Sequence, residues 1–356
     1  MNRGSDSMRS IPVQDAVGKV LRHDITEIVP GEFKGPRFKK GHVITVGDID
    51  KLLDLGKRYI YVFDLSDGCV HENYAAERIA RAAAGEGITL TAPVEGKVSL
   101  KVSRPGLLKV KARDLCRVNM VADVMFSTLH THQTVSPGQT VGGTRIIPLV
   151  IDDRRIETVE TICRQAFPIV SVKPFRPLRV GMVITGSEVY SGRIEDKFGP
   201  VVKKKFEKLG SRIEQQVQVS DDVSMTVDAI LRMIDQGLQF IAVTGGMSVD
   251  PDDQTPAAIR AAGGAVVTYG APVLPGAMFM LAYIGDIPIV GLPGCVMYYH
   301  ASVFDLVVPP LLAGEIMTRE MIAALGHGGL CTNCTTCRYP ACPFGKGGTT
   351  CLDVSP

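Results

Sequence analysis

Residues Val243 to Pro256 read V-T-G-G-M-S-V-D-P-D-D-Q-T-P, and their pattern decides the fold. The apolar residues Phe240 to Val243 predict a buried strand running into a tight turn at Gly245 and Gly246, where a missing Cβ lets a ligand approach the main chain. Asp250, Asp252 and Asp253 follow, and Thr255-Pro256 predicts a helix start, with Thr255 as N-cap and Pro256 in the first helical position. A glycine turn between a strand's carboxyl end and a helix is where open α/β sheets bind ligands, and a helix N-terminus favours anionic groups. A second turn, Gly291-Leu292-Pro293-Gly294, follows the apolar run Ile287 to Val290. The pair is far more specific than either turn.

Outward from these turns, strand and helix patterns alternate. Strands are expected at Arg179–Thr185, Arg212–Val219, Phe240–Thr244, Ala265–Tyr269 and Ile287–Val290, with helices at Phe198–Leu209, Val223–Gln236, from Thr255, and at Cys295–Leu311. That order predicts a three-layer α/β domain with a mostly parallel sheet and right-handed crossovers over residues 178–315. It is preceded by a β-rich mixed N-terminal region. Within that region, residues 9–88 carry helices near Asp48–Gly56 and His71–Ala84, a strand at Tyr59–Phe63, and turns at Pro30-Gly31 and Gly35-Pro36. Residues 89–177 form a β-rich module, a helix at Asp152–Gln165 and a proline-rich linker, Pro168–Pro177. Residues 316–356 form a cysteine-rich tail.

The chain has 356 residues, enough for two or three domains, and 45% hydrophobic against 21% charged residues is an ordinary globular balance. A net charge of 39 − 37 = +2 excludes a general polyanion binder, and no nucleic-acid role is expected. The basic run Lys203-Lys204-Lys205 with Lys208 reads as the solvated face of a helix. Residues 1–10 are polar, so no secretory signal is expected; Met1 to Met8 read as a leader, with Met8 an alternative start. Ile287 to Phe304 is uncharged, but Pro288, Gly291, Pro293 and Gly294 interrupt it, so no membrane span is expected and the location expected is cytoplasmic.

The paired turns, with T-G-S-E at Thr185 to Glu188, resemble the molybdopterin-binding domain of molybdenum-cofactor biosynthesis proteins. The first turn is similar to the family's T-G-G-x-[SG]-x-x-x-x-D, which puts Asp253 at the acidic position. Asp253-Gln254-Thr255-Pro256 resembles the D-x-T-P of the adenylyltransferase branch. Met247-Ser248-Val249 and Gly291 to Gly294 look like the G-G-V-S-V and G-L-P-G of the molybdenumtransferase branch. The likeness covers Leu178 to Glu315 well and, more weakly, Ile11 to Glu86, where it is to the transferase's N-terminal region.

The resemblance implies molybdopterin or its AMP adduct as ligand, with Mg²⁺, and molybdate as a further partner. Thr185, Gly186, Ser187, Gly245, Gly246, Ser248, Gly291, Pro293 and Gly294 become the expected pterin and phosphate contacts, because main-chain N–H groups of glycine turns hold phosphates without bulk. Asp253 and Glu188 become the expected catalytic acids, with Asp253 and Asp250 as magnesium ligands and Asp252 another second choice. Asp250 and Asp252 read equally as helix-capping or solubilising acids. Asp221-Asp222 reads first as an N-cap, and Asp196 as either a cap or a pterin contact. The transferase branch carries a basic K-P-G-K-P-like turn, but here Leu274-Pro275-Gly276-Ala277-Met278 keeps the turn and loses both lysines. Pterin binding is therefore a firmer expectation than metal insertion. The family's habit of pairing through its N-terminal region implies a homodimer.

Cys331-x2-Cys334-x2-Cys337-x4-Cys342-Pro343 places four of the nine cysteines where one loop can wrap a single metal centre. The spacing resembles the bacterial ferredoxin run with one extra residue before the last cysteine, so a [4Fe–4S] cluster is the first reading and a four-cysteine Zn²⁺ site the second. Cys351 is a possible substitute ligand, and Cys69, Cys116, Cys163 and Cys295 read as small buried hydrophobes. His130 and His132 form an H-x-H on an expected strand, read first as a surface pair. Two functions follow: a Mg²⁺-dependent molybdenumtransferase or its adenylyltransferase sister, and a carrier or sensor whose tail reports redox state or docks on a client molybdoenzyme.

Overall fold

Val180 to Thr185 are all buried, as a central parallel strand requires when helices cover both sheet faces. The computed structural model describes residues 9–29, 33–63, 68–248, 250 and 253–347. The Met1 to Met8 leader, the Pro30-Gly31 turn, Val249, Asp252 and Cys351 lie outside those residues.

The described residues divide into two compact units. One gathers those up to Lys101 with Arg113–Leu129 and Gly138–Val170; the other gathers Val102–Ala112, His130–Pro137 and those from Ser171 on. The first unit is β-rich and mixed. An antiparallel set joins Arg9–Pro12, Tyr59–Phe63 and Val20–Leu21, and a four-stranded set runs through Val124–Thr128, Thr140–Ile146, Lys97–Val102 and Ile88–Leu90. Helices Glu72–Ala83 and Asp153–Ala166 are clamped where Arg78 holds Glu160 at 2.8 Å. The expected linker contains a strand, Val170–Lys173, because Val170 and Val172 are buried.

The α/β unit runs β1 (Arg179–Thr185), α1 (Ser187–Tyr190), α2 (Phe198–Lys208), β2 (Arg212–Val219), α3 (Val223–Asp235), β3 (Phe240–Thr244), α4 (Thr255–Ala261), β4 (Ala265–Tyr269), β5 (Met280–Ile284), β6 (Ile287–Leu292), α5 (Cys295–Tyr298), α6 (Val303–Leu312) and α7 (Arg319–Ala324). Its six-stranded sheet has the order β2-β1-β3-β6-β5-β4. β2, β1, β3 and β6 are parallel; β5 is antiparallel to β6 and β4.

Alternate strand residues feed opposite cores, which makes three layers. Val180, Met182, Phe240 and Ala242 pack with Val202 and Phe206 of α2 and with Phe304 and Val307 of α6. Val183, Ile241 and Val243 pack instead with Ile230 and Met233 of α3 and Ile259 of α4. Three expectations change. β5 was not anticipated, and the single helix expected over Cys295–Leu311 breaks at Tyr299, restarting at Ser302, whose hydroxyl and N–H engage Asp305 in a capping box. Lys205 does not lie on a solvated face: its ammonium is bound by Asp305 at 2.8 Å and by the His300 carbonyl at 3.0 Å. Among the described residues no helix is long and apolar enough to cross a membrane.

Candidate functional site

Register brings the signature loops together. Ile184 of β1 lies beside Thr244 of β3, and Thr244 beside Leu292 of β6. Loops leaving at Gly186, Gly245 and Pro293 therefore emerge side by side at one sheet edge, about 4.8 Å apart per strand. Hydroxyls tie the first two: Thr185 Oγ1 donates to the Thr244 carbonyl at 3.3 Å and lies 3.3 Å from Thr255 Oγ1, which donates to the Gly245 carbonyl at 2.8 Å. Thr255 is accordingly the first residue of α4, not its cap; Gln254 holds that position, and the Thr255 hydroxyl serves the turn instead.

The glycines fall into two groups. At Gly245 (φ +85°) an added Cβ would collide with the Thr185 carbonyl, at Gly246 it would stand 2.9 Å from Thr255 Oγ1, and at Gly291 2.6 Å from Met247 Sδ. These three are required by loop packed on loop, not by ligand approach. Gly186 and Gly294 are different: an added Cβ at Gly186 would find its nearest neighbour 3.8 Å away, and at Gly294 nothing within 4 Å. At both, the space a Cβ would fill is open, although the Gly186 N–H already donates to the Val219 carbonyl at 3.2 Å. Pro293 precedes Gly294 at the mouth of α5, and Glu188 is exposed in the first turn of α1.

The neighbouring aspartates have separate jobs. Asp222 caps α3 through the Met225 N–H at 2.8 Å, and Asp196, one residue before the N-cap Lys197, accepts from the Phe198 N–H at the start of α2 at 2.8 Å. Asp221 accepts from the Ser187 N–H at 2.8 Å, so that N–H is already committed. Ser248 is exposed, and its carbonyl and that of Met247 accept from the Tyr269 hydroxyl at 3.4 and 3.3 Å. Sequence reasoning missed Asp221 as the clasp on the Thr185–Glu188 loop and Tyr269 as the post for the Gly245 loop. The acidic pair at 221–222 was a visible signal for the first; nothing near Tyr269 signalled the second.

Asp253 is half-buried, its Oδ2 is buried with no hydrogen-bond partner among the described residues, and its N–H donates to the Asp250 carbonyl at 2.9 Å. Asp250 is exposed. Among the described residues no group of three or more His, Cys, Asp or Glu side chains is arranged to hold a metal ion, so neither expected ligand set forms a closed shell. For magnesium one or two carboxylates suffice, the remaining positions going to phosphate and water. Cys331, Cys334, Cys337 and Cys342 share one cavity beside α5.

His130 and His132 do not lie on a strand: His130 is in irregular chain and His132 in a turn, at φ +64°. Lys109 Nζ donates to Glu315 Oε1 and to His132 Nε2, each at 2.6 Å, which requires neutral His132. Burial, then the Lys109 charge, hold its pKa well below the usual histidine value despite Glu315. A depressed folded-state value means the stability His132 contributes is complete above the unfolded value, about 6.5. It is lost as pH falls towards the folded one. Thermal melts of wild type should lose ground to His132→Gln on acidification below about pH 6.5. Parallel pH dependence in the two proteins would refute the assignment.

Residues 181–314 match the family described as "Probable molybdopterin binding domain". The α/β unit belongs to that family. Residues 10–64 match a domain of unknown function. CinA-like proteins of Mycobacterium tuberculosis (strain ATCC 25618 / H37Rv) and Mycobacterium marinum (strain ATCC BAA-535 / M) are each 36% identical over 78 residues, 22% of this chain. The match spans 18% of the length of those relatives. Among solved structures, the molybdopterin biosynthesis enzyme MoaB of Thermus thermophilus aligns with 39% of this chain and 98% of its own, at 19% identity and a TM-score of 0.32. The tungsten cofactor synthesizing protein MoaB of Pyrococcus furiosus aligns with 34% and 84%, at 19% identity and a TM-score of 0.29.

Proposed function

We propose that this molybdopterin-binding domain takes adenylylated molybdopterin along the edge formed by β1, β3 and β6 and promotes molybdate insertion as AMP leaves. The observation that carries the reading is the buried Asp253 carboxylate oxygen, which has no hydrogen-bond partner among the described residues, in the loop between β3 and α4. A buried carboxylate oxygen with no donor is costly, and a cation offsets that cost.

Asp253 would hold Mg²⁺, with Asp250 as second ligand; the bound ion would neutralise phosphate charge. The exposed main chain at Gly294 would seat phosphate, the exposed Ser187 and Ser248 side chains would offer hydroxyls to phosphate or pterin, and Thr185 and Gly186, already hydrogen-bonded to Thr244 and Val219, would hold their loop in place. Gly245, Gly246, Gly291 and Pro293 would shape the floor. Glu188, exposed at the same edge, would position the water that releases AMP. A homodimer of this chain is part of the reading.

A second reading is favoured by one observation: the Leu274–Met278 turn brings no lysine for an oxyanion. In it the chain carries molybdopterin without turnover and presents it to a client molybdoenzyme. An adenylyltransferase, loading AMP from ATP, is the remaining enzymatic form. Anaerobic incubation of the protein with adenylylated molybdopterin, Mg²⁺ and molybdate separates them. Molybdate-dependent AMP release is the expected result, and tight pterin binding without release would establish the carrier.

A further inference from the structure

The segment from Leu330 to Phe344 contains no helix and no strand, yet it is built into the domain at several points. Leu274 donates its N–H to the Gly329 carbonyl and accepts from the Cys331 N–H, both at 2.8 Å. At the other end Gly345 donates to the Gly328 carbonyl at 2.9 Å. In between, the Tyr339 hydroxyl donates to the Asp305 carbonyl at 3.0 Å, and Phe344 is buried. A loop of this length without secondary structure is uncommon unless it serves a site.

What the loop encloses is a cavity of about 90 Å³, and Cys331, Cys334, Cys337 and Cys342 all line it. None is in a disulfide; Cys334 and Cys337 are exposed, Cys331 and Cys342 half-buried. The remaining wall includes Tyr298, His300, Arg338 and Tyr339 and, among the described residues, no carboxylate. Sulfur donors with aromatic and cationic neighbours suit a soft, net-negative metal–thiolate centre and not magnesium or calcium.

We propose that these four thiolates ligate a [4Fe–4S] cluster. A single zinc ion, about 2.3 Å from each sulfur, would draw all four to one point. Here Cys331, Cys334, Cys337 and Cys342 are spread along the wall of one cavity of about 90 Å³. That layout fits a guest with its own bulk. In two-cluster ferredoxins the fourth cysteine of a run of this kind serves a different cluster. Here Cys342 faces the same space as the other three, so one loop completes one site. On ligation each thiol gives up its proton to solvent, and the preformed cluster keeps its electron count.

The cavity also borrows its wall from the second signature loop. α5 starts directly after Gly294, and its last residue, Tyr298, lines the cavity. Four helical residues rise about 6 Å, so the cluster sits one short helix from the open glycine.

The test is anaerobic purification of the full chain, with iron, acid-labile sulfide and zinc measured, and an EPR spectrum recorded after dithionite reduction. A brown protein with about four iron and four sulfide per chain, and an EPR signal on reduction, is expected. Cys334→Ser and Cys337→Ser alter exposed side chains and should each lose most of the iron, with the circular-dichroism spectrum unchanged. Cys69→Ser, in the other unit, should keep it. Colourless protein with one zinc per chain overturns the proposal, as does iron that survives Cys334→Ser and Cys337→Ser. Iron content is read without any pterin, so this result and the molybdopterin reading stand or fall separately.

Discussion

Asp253→Asn should reduce Mg²⁺-dependent AMP release by on the order of 10²-fold or more and yet leave the apo protein more stable. Both halves follow from one atom. Oδ2 of Asp253 is buried without a donor among the described residues, and a buried acceptor left without a donor costs stability. The amide is nearly the same shape and carries no charge, so folding gains on the order of 1 kcal/mol while the anionic ligand disappears. Mg²⁺ should raise the melting temperature of the wild type, because a ligand that binds only the folded state stabilises it, and should leave the variant unmoved. A merely structural Asp253 would show the reverse, a variant that melts earlier and keeps its response to Mg²⁺. That pattern in a thermal melt would remove Asp253 from the site.

Gly245→Ala should damage the fold itself, by roughly 3 kcal/mol or more, and with it all pterin binding. The backbone at φ +85° is costly for any residue with a Cβ, and here the Cβ also meets the Thr185 carbonyl. Relief would require β1 and β3 to move apart at their ends, breaking the Thr185–Thr244–Thr255 hydroxyl contacts that hold the edge together. Gly294→Ala is the matched contrast. Its φ of −53° suits any residue and its Cβ would find open space, so the melting temperature should hold while molybdopterin binding weakens. Melting curves and a pterin titration on both variants decide it. Equal loss of stability would mean that the two glycines do the same job, and unchanged pterin affinity in Gly294→Ala would move the ligand away from α5.

Much of the α/β unit was readable because its strands are apolar runs closed by turns. Arg179–Thr185 and Arg212–Val219 coincide with their sequence assignments to the residue. β5 was missed although Met280 to Ile284 is an uninterrupted apolar run ending in Gly285-Asp286. Pro275-Gly276 just upstream drew that stretch into a loop, and periodicity cannot tell a short buried strand from a helix turn. The break at Tyr299 was signalled only by Ser302 and Asp305, a capping pair inside an otherwise apolar run.

The site was readable by residue type but not by role. Sequence places glycines at 186, 245, 246, 291 and 294 alike; only the fold reveals which have a neighbour waiting where a Cβ would go. Asp221 and Asp222 are adjacent in the chain and act on different elements, because only one of them can point along α3. Lys205, one of a run of three lysines, is the member the helix turns inward towards Asp305.

The attachment of the cysteine loop has a consequence for the order in which this protein is made. Its docking points, Leu274 and Asp305, belong to the last third of the α/β unit, and both precede the cysteines in the chain. At a synthesis rate of about 5–20 residues per second, Leu274 is translated several seconds before Cys331. The platform therefore has time to form first, and the thiols arrive at a surface already able to hold them. Under the cluster proposal, loading of the loop would follow folding of the platform on which it docks and so would test that the platform has formed.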